Sequence, residues 1–375
     1  MVKICHITSA HSRTDTRIFV KECSSLAAAG YDVTLLVADG KEDEVRNGVS
    51  VTGLRKMPSR LKRMMYTPSA IYKKALSIDA CIYHLHDPEL IPIGVKLKKR
   101  GKRVIFDSHE DVVKQIKTKP YLNRFTGIVV SKLYEIYERH SVSKLDMVIT
   151  TSPVFRDKFT AWHPHVDMVN NYPIVGELVK TGETDKSNKN VMFLGSISKE
   201  RGIMELLRAM ELCKADVRLK LAGPLHPESL LDEMARCKGW ERVDYLGILD
   251  RNQIAEAFLD ISAGLVTFMP TFNQIDALPV KMFEYMSAGI PVIASSFPLS
   301  KSYVDESGCG ICVDLLSPEE VAEAVDYLVS HPDIAIDMGR KGQKAIQMKY
   351  NWHNEEKKLL EAYERLSSST KKGKS

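Results

Sequence analysis

The chain has 375 residues, of which 27% are charged and 44% hydrophobic, and a net charge of +5. That length allows two domains of ordinary size, and that balance excludes a disordered or fibrous chain. Seven scattered cysteines exclude a disulfide framework, and no apolar run approaches the length of a membrane-spanning helix. The charge is uneven. Residues 1–172 hold 28 Lys+Arg and 18 Asp+Glu, a balance of +10, whereas residues 173–375 hold 25 and 30, a balance of −5. The two halves therefore face different electrostatic tasks. The opening MVKICHITSA is too short an apolar run for a signal peptide, so reduced thiols and a cytoplasmic location are expected.

Val2 to Thr8 reads as a strand, Ser9 to Asp15 as a polar loop, and Arg17 to Ala29 as a helix that Gly30 stops. Tyr31 to Val37 reads as the next strand. This β–α–β start predicts a parallel sheet with right-handed crossovers. The first loop lacks GxGxxG, which counts against a nicotinamide enzyme. Arg55 to Lys74 holds seven basic residues (Arg55, Lys56, Arg60, Lys62, Arg63, Lys73 and Lys74), and no acid lies between Glu44 and Asp79. Two readings stand: a surface for anionic lipid headgroups, or a solvated helix over the sheet edge. No reader motif for nucleic acid accompanies the patch.

Strands at Ala80 to Leu85 and Arg103 to Phe106 run into His86-Asp87-Pro88-Glu89 and Asp107-Ser108-His109-Glu110-Asp111. Ligands of open parallel sheets bind beyond the carboxyl ends of the strands, so both clusters are candidates, His109 ahead of His86. Met147 to Thr151 is a further strand. The pattern restarts after Pro173, with a strand at Val191 to Leu194, a loop from Gly195 to Gly202 and a helix from Ile203 to Cys213. Two similar α/β domains in tandem follow, 1–173 and 174–352. Cys309 and Cys312 have redox or zinc spacing without a second pair or a histidine cluster, so no metal is expected there.

The richest stretch is DALPVKMFEYMSAGIPVIASS, Asp276 to Ser296. A strand over Ile261 to Met269 leads into a polar loop. A helix starts at Pro279, Gly289 ends it, and a strand follows. A helix N-terminus suits phosphate, and Lys281 in its first turn adds a full positive charge. Asp276 and Glu284 are carboxylates that can accept hydrogen bonds from sugar hydroxyls. Acids near a helix start also serve the helix itself. Further on, Tyr303 to Gly310 reads as a loop, and Pro318 to Ser330, Pro332 to Met348 and Trp352 to Leu366 read as helices. The tail 367–375 is expected to be disordered.

Leu278 to Ala294 resembles the signature of retaining glycosyltransferases of family 4, the group 1 transferases. So do Gly195 to Gly202, Asp15-Thr16-Arg17-Ile18 with Gly30-Tyr31-Asp32-Val33, and Asp107-Ser108-His109-Glu110, all in family order. The resemblance implies a GT-B fold: two Rossmann-like domains facing across a cleft, with donor on the second, acceptor on the first, and the helix 353–366 crossing back to the first. It implies that Glu284 binds ribose hydroxyls, Asp276 contacts the donor sugar, and His109 lies near the anomeric carbon. By the same resemblance Arg201 and Lys199 match the basic residues that hold the diphosphate, and Gly195, Val280 and Lys281 are further candidates for the donor site. The chain departs from the family in reading D-x7-E where E-x7-E is usual, and in placing Pro279 where a glycine is common. It contains no D-x-D, and no metal cofactor is expected.

These features predict a retaining, metal-independent glycosyltransferase. Its partners would be a nucleotide-sugar donor and a glycan or lipid-linked acceptor in surface polysaccharide synthesis, on the inner face of the plasma membrane. An epimerase of the same fold and a non-enzymatic two-lobed sugar-binding protein are the alternatives.

Overall fold

A computed structural model describes residues 1–57, 60–109, 111–117, 122–178 and 189–368. It divides into two units: Met1–Asn171 with Asn354–Ser375, and Tyr172–His353. The divide falls at 171/172, against the 173/174 read from the sequence. Glu110, Val179 and residues 369–375 lie outside the described residues, as do the side chains of Arg60, Lys62 and Arg63.

In the first unit the strands are β1 (Lys3–Thr8), β2 (Asp32–Val37), β3 (Glu44–Arg46), β4 (Val49–Gly53), β5 (Ile82–Leu85), β6 (Arg103–Ser108), β7 (Met147–Thr150) and β8 (Val166–Met168). Their order is β3-β4-β2-β1-β5-β6-β7-β8, parallel except for β3 against β4. Side chains alternate across a strand, so each face carries its own set. Cys5, Ile7, Tyr83, Leu85, Val104 and Phe106 join an apolar cluster on one face. Between them on the same strands, His6 and His84 are fully buried among other partners.

In the second unit the strands are β9 (Asn190–Leu194), β10 (Arg218–Ala222), β11 (Val243–Gly247), β12 (Ile261–Val266), β13 (Val292–Ser295) and β14 (Gly310–Val313). They form an all-parallel sheet in the order β11-β10-β9-β12-β13-β14. Both faces are covered. Val191, Phe193, Leu265 and Ile293 pack into one cluster, and Met192, Leu194, Val266 and Val292 into the other. Such double burial explains the near-continuous apolar strands. Each sheet reverses direction once, between β1 and β5 and between β9 and β12. That order is the doubly wound arrangement, and these reversals are where its ligands bind.

Three sequence expectations need correction. Tyr303 to Gly310 is not a loop throughout. A helix spans Pro298–Ser307, opened by Pro298 and closed by Gly308 at φ 64. It buries only Ser300, Tyr303 and Val304, too sparse a stripe to read as periodic. The last helix runs Trp352–Ser368, so Ser367 and Ser368 are helical rather than part of a disordered tail. The opening helix is a π-helical stretch, Thr16–Cys23, followed by an α-helical turn, Ser24–Ala28. The helices Ile91–Lys99, Val112–Lys117 and Arg124–Val142 were not read from the sequence at all.

Candidate active site

The second unit offers its site at the ends of β9 and β12. Gly195 ends β9 at φ 139, a backbone state that disfavours side chains, and a Cβ there would meet nothing within 4 Å. Backbone and open space thus lie together where a ligand could approach. The loop continues to a short 3-10 turn, Lys199–Arg201, capped by the Ser198 side chain and closed by Gly202 at φ 73. The turn sends its two basic residues to different neighbours. The Arg201 guanidinium lies 4.9 Å from the centre of the Phe268 ring, just past β12. Burial lowers its pKa from the ordinary arginine value. Lys199 instead meets Glu233 at 2.6 Å on the surface.

After β12 a one-turn helix, Phe272–Ile275, is followed by Asp276, which is half-buried. Pro279 then caps the helix Val280–Ser287. The Val280 amide donates to the Leu278 carbonyl at 2.9 Å. Glu284 is 5% exposed, and its two carboxylate oxygens have different cations. Arg251 Nη1 donates to Oε1 at 2.8 Å and Lys281 Nζ to Oε2 at 2.7 Å. Burial pushes this carboxyl up, but Lys281 and Arg251 outweigh it and hold the pKa below the ordinary value. Each carboxylate oxygen keeps a further lone pair for a ligand hydroxyl. Arg251 also reaches Glu177 at 2.7 Å. Sequence reading missed Arg251, which stands 33 residues before its partner; only the fold brings it there.

Glu284 is set by helix packing. Tyr285, its neighbour, is buried and donates to the Met192 carbonyl at 2.9 Å. Its ring fills the hollow that Gly264 leaves in β12.

In the first unit a cavity of about 490 Å³ opens at the ends of β1, β5 and β6. His109 and His11 line it, their rings edge to face at 5.3 Å. His11 lies 3.5 Å from both Asp15 and Asp87. Burial alone would raise the Asp15 carboxyl, but His11 and the Ile18 amide bring it down to about 2. Asp87 accepts from the Ser9 amide at 2.6 Å and the Thr8 hydroxyl at 2.9 Å, which ties the β1 and β5 loops together. His86 also lines the cavity, with Nδ1 3.3 Å from Asp107. Asp107 takes a two-pronged contact from Arg17, at 2.8 and 3.0 Å.

Behind the cavity wall lies a buried cluster. Ligand atoms of His6, Glu22, His84 and His86 all lie within 4.8 Å of one another, a spacing a metal can use. Their present partners are otherwise. Arg17 stands 3.1 Å from Glu22, so a guanidinium already supplies a cation. His6 Nδ1 meets His86 Nε2 at 2.9 Å, and the Tyr363 hydroxyl bridges His6 and His84 at 3.0 and 2.8 Å. Burial, with the neighbouring imidazoles, drives both His6 and His84 well below the ordinary histidine pKa and keeps them neutral.

Gly195 and Arg201 thus follow β9, and Asp276, Val280, Lys281 and Glu284 follow β12; Arg201 over Phe268 joins the two segments, and His109 lies in the first unit's cavity. Arg55 and Lys56 are exposed beyond β4, and Lys73 and Lys74 lie in the helix Arg60–Ile78.

Two family models match the chain. One, a glycosyl transferase 4-like domain, covers residues 17–171, and the other, glycosyl transferases group 1, covers residues 177–345. An uncharacterized glycosyltransferase of Haemophilus influenzae is 22% identical over 340 residues, 87% of this chain and 90% of that one. An alpha-maltose-1-phosphate synthase of Mycolicibacterium smegmatis is 26% identical over 265 residues, 62% of this chain and 66% of that one. Among solved structures, a sucrose-phosphate synthase from Thermosynechococcus elongatus superposes with a TM-score of 0.82 at 16% identity. It covers 98% of this chain and 100% of its own. Anabaena HepE, solved in complex with UDP-glucose, gives 0.74 at 14% identity over 97% of this chain and 100% of its own.

Proposed function

We propose, from the premise that this chain belongs to the group 1 glycosyltransferases, that it moves a sugar from a nucleotide-diphosphate donor to a glycan or lipid-linked acceptor. The fold is GT-B and the activity is glycosyl transfer. The finer reading is ours: retention at the anomeric carbon, no metal cofactor, and a place in surface polysaccharide synthesis. The epimerase and sugar-binding alternatives have nothing in the comparisons to favour them.

The observation that carries the donor reading is the buried, ionised Glu284 on the helix that follows β12, in the sheet whose strand order reverses between β9 and β12. An ionised carboxylate accepts hydrogen bonds only, which suits ribose hydroxyls. Arg201 and the Gly195 backbone suit a diphosphate. As the glycosidic bond breaks, negative charge grows on the departing phosphate oxygen. A fixed cation stabilises that charge more than it stabilises the bound donor, and this difference lowers the barrier. Asp276 is assigned to the donor sugar and His109 to the neighbourhood of its anomeric carbon. Lys199, paired with Glu233, would have to exchange that partner to reach a phosphate.

The HepE complex makes UDP-sugars the first donors to try. Titration of UDP, GDP, ADP and CMP into the wild type and Glu284→Gln tests the donor site. One nucleotide is expected to bind, and the substitution to weaken it about tenfold, or about 1.4 kcal/mol. No binding by any of them removes the donor reading. The anomeric proton coupling of fresh product, read by NMR, decides retention; an inverted product removes that part. A membrane-borne acceptor also brings an anionic surface into play, for which the basic segment Arg55 to Lys74 is the candidate in the sequence.

A further inference from the structure

The helix Arg124–Val142 is folded with its small and polar residues inward. Gly127, Ser131, Glu138 and Ser141 are buried, and Tyr134 is half-buried. Its large apolar residues face out: Phe125 is 77% exposed, Leu133 62%, Ile136 58% and Ile128 53%, with Val129, Val130 and Tyr137 beside them. At 3.6 residues per turn these seven positions share one continuous arc. An ordinary surface helix does the reverse and turns its apolar stripe to the core. A contiguous exposed apolar surface of this kind marks an interaction site.

The charges on the helix say what covers it. Arg139 is exposed on the same arc and Lys144 just beyond its end, while Lys132, also exposed, is paired with Glu135. The acids are held away. Glu138 is turned inward onto Lys158 at 2.9 Å, and Glu135 is half-buried and paired with Lys132 at 2.9 Å. An apolar arc that carries exposed cations toward its C-terminal end matches an anionic bilayer, whose headgroups meet the charges while the acyl boundary takes the apolar side chains. A second copy of the same face would bring like charges together.

We propose that the helix Arg124–Val142 lies in the interface of an anionic lipid bilayer, with Phe125, Ile128, Leu133 and Ile136 below the headgroups. It lies on the membrane; among the described residues no helix is long and apolar enough to cross one. The edge of the exposed arc gives the site a second meaning. Tyr134 and Tyr137 line the cavity that holds His109. The element that touches lipid therefore also walls the candidate acceptor cavity, and a substrate carried on a lipid would meet that cavity at the membrane surface. This inference goes beyond the acceptor reading and assigns the contact to a different surface from the basic segment at 55–74.

The test is co-sedimentation of the full chain with vesicles of phosphatidylcholine, alone or with about a third phosphatidylglycerol. The wild type is expected to pellet with the anionic vesicles and to be released by high salt. The double substitution Leu133→Gln with Ile136→Gln, both exposed, is expected to lower partitioning at least tenfold. Nucleotide binding in that variant is expected to stay at the wild-type level, which separates this result from any failure of the donor reading. Arg55→Gln with Lys56→Gln is expected to change partitioning less than twofold. Three outcomes overturn the proposal: equal binding to neutral and anionic vesicles, full binding by the Leu133/Ile136 variant, or a wild-type dimer in sedimentation that this variant dissolves.

Discussion

Glu284 shows how a single residue can be made ready by its surroundings. A carboxyl buried this deeply would ordinarily gain a proton, because burial disfavours charge. Arg251 and Lys281 reverse that outcome, and the folded pKa falls below the ordinary 4.5. A depressed carboxyl contributes stability that is present above the ordinary value and is lost as pH falls through the folded one. Ligand recognition by the carboxylate follows the same window. Removing one cation should therefore narrow it. In Arg251→Ala, nucleotide affinity is expected to decline at a higher pH than in the wild type. Titration at neutral pH and near pH 5 checks this; parallel declines in the two proteins would break the link between Arg251 and the ionisation of Glu284. The D-x7-E spacing places Asp276 at the end of a short helical turn, and its shorter reach is a matter for donor-sugar preference.

At the scale of an element, the helix Val280–Ser287 is seated by one aromatic ring and one missing side chain. A Cβ on Gly264 would fall 2.3 to 2.6 Å from Tyr285 ring atoms. Both the strand and the ring are buried, so neither has room to give. Gly264→Ala is expected to cost about 1–3 kcal/mol of stability through overpacking. It should also weaken nucleotide binding, because Glu284 rides on the same helix as Tyr285. Denaturant unfolding and a nucleotide titration measure the two effects. Lost stability with unchanged binding would separate the ring's role from that of the carboxylate. The helix Arg124–Val142 teaches a complementary lesson: its buried face is small and polar because it packs beside a cavity and an ion pair.

At the scale of the whole chain, the two units carry their charge differently. The first unit keeps His6 and His84 neutral in its interior, with Glu22, Asp107, Arg17 and Tyr363 against them. Their folded pKa values lie below the ordinary 6.5, so below pH 6.5 the unfolded chain binds protons that the folded one refuses. Stability should then fall with pH by up to about 1.4 kcal/mol per pH unit for each histidine. Glu22 works the other way. Burial raises its pKa well above the ordinary 4.5, so the folded state holds its proton as pH falls. The two effects oppose each other between pH 7.5 and pH 5.5, so removing the carboxyl isolates the histidines. Glu22→Gln, which lacks the opposing group, is expected to be less stable at pH 5.5 than at pH 7.5. Chemical denaturation at both pH values checks this; greater stability at pH 5.5 would contradict the neutral-histidine account.

Much of this protein was written in local sequence. Double burial of parallel strands made Val2 to Thr8, Val191 to Leu194 and Ile261 to Met269 readable as apolar runs. Pro279 and Gly289 punctuated the helix that carries Glu284, because fixed φ and positive φ are local demands. The restart after Pro173 revealed two units, since each needs its own strands and core. The family followed from motifs in order. What the sequence did not reveal depends on contacts between distant residues. Arg251 meets Glu284, Arg17 meets Asp107 and Tyr363 joins His6 to His84 only after strands pair and helices pack. The helix at 124–142 holds its apolar residues on one arc, a periodicity the sequence carries, but that this arc faces outward is set by how the helix packs. Sequence by itself determined the elements and the family, which rest on neighbours along the chain. Tertiary structure decided the ionisation of Glu284 and the lining of the cavity, because charge balance and burial are set by residues that sequence places far apart.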